Sequence, residues 1–433
     1  MRVVLLFVIA VMTACTIKEN NRFYMPAEWE PHDAIWFGWE DDRLEYRPCV
    51  VNMIQALRPH IKIKIAASGD SLLRIAKKFL HEQGIDSSTL QFYNMRGDRY
   101  WIRDYGAAFL VNGNGQLAVA DFGWNGYGYP GWLEILHNNN KDSISKYLKL
   151  REPRMRRTAM VDSLMAIAEG AAILKTNIKH EGGAIEVNGK GTLILCEATV
   201  LQRNPDLSKE EIESEFKRVL GVTNIIWVKQ GLADDPLHFF RRIAGNYVGG
   251  GTGGHTDEFV RFANATTILL AWVNESEKDL NPVNKLNYER MSENLKILQA
   301  STDQDGKPFN IVKVPLPDLI VEKITAKEDS DSDAARPSPY LKPSYFPVTE
   351  APIEGDPLLR VPAASYMNYL VTNGIVLLPT YAMAGSSVDK ENEVRKIFQE
   401  QFPGREIVFI DAMPLNWSGG GIHCSTQQQP RKK

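Results

Sequence analysis

Short apolar runs and amphipathic helical patterns alternate along nearly the whole chain, and that alternation restricts the fold to the α/β class. Runs that are β-branched or aromatic and bounded by turn residues predict strands at Ala34–Trp39, Ile61–Ala67, Gln91–Asn94, Gln116–Phe122, Thr192–Glu197, Asn224–Lys229, Thr266–Trp272, Gly374–Pro379 and Glu406–Asp411. The spacing of Leu72, Leu73, Ile75, Ala76, Phe79 and Leu80 predicts a helix over Ser71–His81. Ser208 followed by Glu211 is a capping-box signature for a helix running to Leu220. Asn284–Ala300 and Lys390–Phe402 carry two more helices. None of these strand-like runs leads into a GxGxxG or a P-loop, so the usual nucleotide signatures are absent. The segment Ala326–Val361 is rich in Pro, Ser and acids, lacks periodicity, and reads as a long loop or lid.

A chain of 433 residues, 44% hydrophobic and 24% charged, is long enough to bury a sizeable core, which excludes disorder for its bulk. Fifty basic residues against 53 acidic ones give a net charge of −3, so no nucleic-acid footprint is visible. Val3 to Ala14 is apolar except for Thr13, which matches a signal-peptide core. It is shorter than the ~20 residues that a spanning helix needs. Met12-Thr13-Ala14-Cys15 resembles a bacterial lipobox. The expectation is a signal peptide over 1–14, lipidation at Cys15, a tether over 15–24 and one catalytic domain over 25–430. Such a protein is exported and lipid-anchored to a bacterial membrane, on its periplasmic or cell-surface face; a plain secretory signal is the alternative. Of the remaining cysteines, Cys196 reads as core and Cys49 has no special context. Cys424, in a glycine-led loop, has the setting of a reactive thiol.

Three clusters place polar or nucleophilic groups beside glycines: Trp101 to Gly106, Gly249 to Phe259 and Gly419 to Gln428. Together they offer a thiol, a His-x-Asp pair (His255, Asp257) and a separate acid, Asp104. That set suits attack on a planar cation. A guanidinium presents five N–H donors in a rigid fork that carboxylates match. Two carboxylates can hold it in plane while a thiolate attacks its carbon. An imidazolium, or the bound cation itself, favours the thiolate. His255 can protonate departing ammonia and then take a proton from water. A metal hydrolase is disfavoured because no HExxH and no CxxC occurs, and a serine hydrolase because no GxSxG occurs.

With these residues the chain resembles the agmatine deiminase family, which also contains the bacterial peptidylarginine deiminases. The resemblance runs from Met25-Pro26-Ala27-Glu28-Trp29-Glu30-Pro31-His32 to Gln429-Pro430, through WIRDYG, Asp121-Phe122, Glu181-Gly182-Gly183, Arg203-Asn204-Pro205, GHTDEF, Ala364 to Asn368, and Gly421-Ile422-His423-Cys424. It implies a five-bladed α/β propeller (pentein) of pseudo-symmetric ββαβ units, and hydrolysis with no metal or cofactor through a thiouronium adduct. Carried over by motif, Cys424 is the nucleophile, His255 the general acid/base, and Asp104 and Asp257 the guanidinium ligands. Asn368, Glu181 and Trp101 are implied to frame the substrate.

Three stretches depart from the family pattern: the glycine run Gly249–Gly254, Trp39-Glu40, and the aromatic stretch Gly123–Trp132 with an insertion over roughly 133–160. They bear on the far end of the substrate. The ammonium of agmatine calls for acidic or aromatic contacts, for which Asp41, Asp42, Glu45 and the Trp124–Trp132 cluster stand as candidates. The carboxylate of a C-terminal peptidyl-arginine calls for guanidinium groups, for which Arg241-Arg242 is a candidate pair, read otherwise as a helix surface. Agmatine is the leading substrate, with peptidyl-arginine, another guanidine, or non-catalytic binding by a surface lipoprotein as alternatives. Amidino transfer would need a second amine site. Oligomeric state is not legible.

Overall fold

The computed structural model describes residues 21–40, 43–96, 100–237, 240–331 and 338–433. The lipobox, Cys15, and Asp41 and Asp42 lie outside them. Among the described residues no helix is long and apolar enough to cross a membrane.

Five small sheets share one pattern. In four of them an antiparallel hairpin is followed by a third strand parallel to the second: Ala108–Val111, Leu117–Gly123 and Ala172–Lys179; Glu186–Val187, Thr192–Cys196 and Asn224–Val228; Val260–Asn264, Thr267–Trp272 and Asn310–Pro315; Leu370–Thr372, Ile375–Thr380 and Glu406–Asp411. Helices bridge each second and third strand, as a parallel connection requires. These are the ββαβ units that the resemblance implied. The remaining sheet closes the ring: Thr426–Pro430 runs antiparallel to His32–Trp39, which pairs in parallel with Lys62–Ala67, followed by Gln91–Asn94.

All nine strands read from sequence are present within a residue or two of their expected ends. Most are central strands covered on both faces, such as Thr192–Cys196 and Thr267–Trp272, and so read as continuous apolar runs. The helix Lys209–Leu220 buries Ile212, Phe216, Val219 and Leu220 on one stripe. Ser208 and Glu211 form the expected capping box, and Gly221 in the left-handed region ends the helix.

The expectation for 326–361 is revised. Its described residues include the strands Tyr340–Leu341 and Pro357–Val361, which join Glu322–Ala326, Phe240–Ala244 and Tyr247–Gly250 in a sixth sheet outside the five units. Leu341, Phe346 and Leu358 pack there against Phe240, Val248 and Ile324. So few apolar residues suffice that no periodicity shows in the sequence. Arg241 and Arg242 lie on a strand of this sheet rather than a helix. Both are held by Glu350: Arg241 Nε donates to its carboxylate at 3.0 and 2.8 Å, and Arg242 Nε to its carbonyl at 3.2 Å. They fasten the inserted segment.

Candidate active site

The site residues occupy equivalent places in the chain. Each lies in the segment that enters the first strand of a unit: Asp104 before Ala108–Val111, Glu181 before Glu186–Val187, His255 and Asp257 before Val260–Asn264, Asn368 before Leu370–Thr372, and Cys424 before Thr426–Pro430. Pseudo-symmetry therefore delivers five segments far apart in sequence to one centre. All six side chains are buried.

Gly183 marks the point where they converge. A Cβ there would lie 2.7 Å from His255 Nδ1, 2.8 Å from Asp104 Oδ1 and 2.9 Å from Asp257 Oδ2. Asp257 Oδ2 in turn faces Cys424 Sγ at 3.5 Å. One thiol, one imidazole and two carboxylates thus surround a space that only glycine leaves open.

Cys424 is held by Asn368, whose Nδ2 lies 3.1 Å from the sulfur and whose Oδ1 accepts the Cys424 and His423 amides at 3.3 and 2.8 Å. Trp101 closes the other flank: a Cβ on Gly420 would lie 2.7 Å from the indole and 3.2 Å from Cys424 Cβ. Burial, then the charges of Asp257, Glu258 and Asp104, push the thiol well above its usual range. The resting sulfur is therefore a thiol.

His255 has the opposite character. Burial alone would favour the neutral ring, but Asp104 and Glu181, each 3.5 Å from a ring nitrogen, hold its pKa up at about 9. Burial pushes Asp104 up to about 6, against the pull of His255 and a hydrogen bond from Tyr127. Glu181 stays ionised, with a pKa of about 2: burial opposes this, and the buried Arg203 guanidinium outweighs it at 3.0 Å. Asp257 is likewise lowered against burial, chiefly by its hydrogen bond from His423.

Glu181 and Asn368, implied to frame the substrate, here engage the machinery itself. Glu181 braces His255, and Asn368 braces Cys424. Sequence reasoning missed several partners. His423 lies between Asp257 and Glu28, with each ring nitrogen 2.8 Å from a carboxylate oxygen, and burial lowers its pKa from the usual imidazole value. Glu258, beside the thiol, is buried and pushed well above the carboxylate range by burial and by Asp257. Tyr127 Oη donates to Asp104 Oδ2 at 2.7 Å. It holds φ at +59° between two left-handed glycines, a costly conformation for an aromatic residue. In the same stretch Tyr129 and Trp132 turn away into a separate cluster with Leu133.

The glycine run is explained by Asp235. Its carboxylate accepts the Thr252 amide and hydroxyl and the amides of Gly253 (3.2 Å), Gly254 (2.8 Å) and His255 (3.2 Å). A Cβ at Gly251 would strike Asp235 Oδ1 at 2.1 Å, and Gly253 and Gly254 both have φ near +97°. Gly249, Gly251 and Gly254 have the spacing of a dinucleotide fingerprint, but only the short turn Thr256–Glu258 follows, and a protein carboxylate fills the amide nest.

Asp257, Glu258 and Cys424 bring two carboxylate oxygens and the sulfur within 4.8 Å of one another, the one such grouping among the described residues. A planar cation with several N–H donors satisfies the same acceptors.

The sequence pattern of the Porphyromonas-type peptidyl-arginine deiminases matches residues 24–430. An agmatine deiminase of Pseudomonas putida is 29% identical over 418 residues, covering 94% of this chain and 95% of that protein. One from Stutzerimonas stutzeri is 28% identical and covers 96% and 98%. Among solved structures, the agmatine deiminase of Enterococcus faecalis superposes with a TM-score of 0.70 at 23% identity, covering 95% of this chain and 96% of that one. A substrate-bound agmatine deiminase of C. jejuni gives 0.63 at 20% identity, covering 95% and 97%.

Proposed function

The chain belongs to the Porphyromonas-type peptidyl-arginine deiminase family, and from that premise we propose that it hydrolyses agmatine to N-carbamoylputrescine and ammonia. The observation that carries this reading is the convergence of Cys424, His255, Asp104 and Asp257 around Gly183.

The guanidinium lies between Asp104 and Asp257, where two buried carboxylates match its fork. Its positive charge offsets the acids that hold the Cys424 proton, so substrate binding promotes the thiolate, and the thiol proton is released to bulk water, where it is later taken up by the ammonia set free. Sulfur attacks the central carbon. His255, protonated at neutral pH, gives a proton to the departing ammonia and leaves a thiouronium adduct. Neutral His255 then takes a proton from water as its oxygen adds to the same carbon. Expulsion of the sulfur, which takes up the remaining hydroxyl proton, gives the ureido product and restores the Cys424 thiol.

A peptide carboxylate finds little support, because the candidate pair Arg241 and Arg242 is committed to Glu350. We also propose that Cys15 is lipidated and anchors the enzyme outside the cytoplasm. The lipobox-like Met12-Thr13-Ala14-Cys15 supports this.

The test follows ammonia and the ureido product with agmatine, free arginine and a peptide ending in arginine, side by side. Turnover of agmatine, silent in Cys424→Ala, is the expected result. Turnover of the peptide alone would move the assignment to protein modification.

A further inference from the structure

The contacts above account for the guanidinium but leave the other end of the substrate unassigned. A small cleft adjoins Asp104 at the edge of the second unit, lined by Tyr105, Phe122, Trp124, Asp162 and His180 among others. None of the described residues lining it is Lys or Arg.

Its buried groups accept hydrogen bonds. His180 is 2% exposed, and burial holds its pKa down at about 4, so the ring is neutral. Nε2 faces the Ala184 carbonyl at 3.2 Å and must carry the ring proton. Nδ1 is therefore a bare acceptor, and it has no hydrogen-bond partner among the described residues. Asp162 is 5% exposed and hydrogen-bonded to Asp121. Burial, then the neighbouring Asp121 charge, push its pKa up to about 8, so at neutral pH Asp162 keeps its proton, directs it toward Asp121 and offers a carboxyl oxygen as an acceptor. Trp124 walls the cleft, edge-to-face with Tyr105 at 5.7 Å and Tyr127 at 4.8 Å.

We propose that the cleft between Asp104, Trp124, Asp162 and His180 receives the primary ammonium of the substrate, an assignment that rests on the agmatine reading. An ammonium offers three donors and no acceptor. The Asp162 carboxyl oxygen and His180 Nδ1 supply the acceptors, and the indole supplies a π face. Asp104 borders both the guanidinium site and this cleft, so one carboxylate lies between the two ends of the ligand.

The test uses the full chain carrying Cys424→Ser, with calorimetric affinities for agmatine and for butylguanidine, which lacks the amine. Agmatine is expected to bind about tenfold or more tightly. Asp162→Leu and, separately, Trp124→Leu should each remove most of that preference. Comparing two ligands on one variant separates a lost contact from a damaged fold. Equal affinities in the Cys424→Ser protein, or a preference that survives both substitutions, would overturn the assignment. Wild-type turnover is measured in parallel. Agmatine hydrolysis without an Asp162-dependent preference sinks the cleft and keeps the deiminase. The preference without hydrolysis keeps the cleft and sinks the deiminase.

Discussion

The amide of His255 donates to Oδ2 of Asp235 at 3.2 Å, the last in a row of amides that converge on that carboxylate. His255 thus sits at the end of a loop wrapped around a buried carboxyl group. Asp235→Asn turns one acceptor oxygen into a donor facing amides that are already buried. We expect a loss of about 3 kcal/mol in stability and at least tenfold in turnover. Urea unfolding and initial rates check both. An unchanged midpoint with an unchanged rate would remove the anchoring role.

The pH dependence follows from two groups of opposite need. Asp104 must be ionised to hold a cation, and its pKa is about 6, so kcat/KM falls as pH drops through that value. His255 must be protonated to release ammonia, and its pKa is about 9, so the rate falls as pH rises through that value. The expected profile is a bell with limbs near those two values. A single rising limb at high pH would instead mean that thiol ionisation governs the free enzyme.

Gly183→Ala tests the shared space directly. Its methyl group would overlap His255, Asp104 and Asp257 at under 3 Å. Displacing reacting groups by about 1 Å costs on the order of 100-fold in rate. The fold should survive, as judged by circular dichroism, while turnover falls by that order. Near-normal activity would mean that the guanidinium binds elsewhere.

Tyr127→Phe removes one hydrogen bond from the ionised form of Asp104. That bond lowers the carboxyl pKa, so its loss raises it and moves the acid limb of kcat/KM to higher pH. The alkaline limb, set by His255, should stay in place. A uniform loss of rate with both limbs unmoved would make Tyr127 a packing residue only.

Cys15→Ala tests the anchor, which rests on sequence alone. Metabolic labelling with a fatty acid should disappear, and the protein should shift from the membrane to the soluble fraction. Unchanged membrane partition would reject lipidation.

How far the sequence speaks depends on which residues carry each signal. The central strands Thr192–Cys196 and Ile375–Thr380 are buried almost throughout, so their apolar runs announce them. The entering strands Glu186–Val187 and Leu370–Thr372 are too short to show a period. Cys424 and His255 are legible as chemistry because Cys and His are scarce here, and Asp104 and Asp257 because they share the same glycine-containing stretches. Asp235 and Glu28 are not. Each acts through a long-range contact, on the 252–255 amides and on His423, that no local spacing encodes. Tyr127 was visible only as one aromatic residue among several in its stretch, and its left-handed backbone singles it out.

The strand Thr426–Pro430 lies two residues beyond Cys424 and zips against His32–Trp39. Ring closure and the placing of Cys424 beside Asp257 are therefore the same event. The pairing that closes the ring also sets the sulfur 3.5 Å from Asp257. The same coupling works in reverse. Peeling this one strand would withdraw the sulfur from Asp257 while four of the five units stay folded, so loss of activity should precede loss of structure on heating.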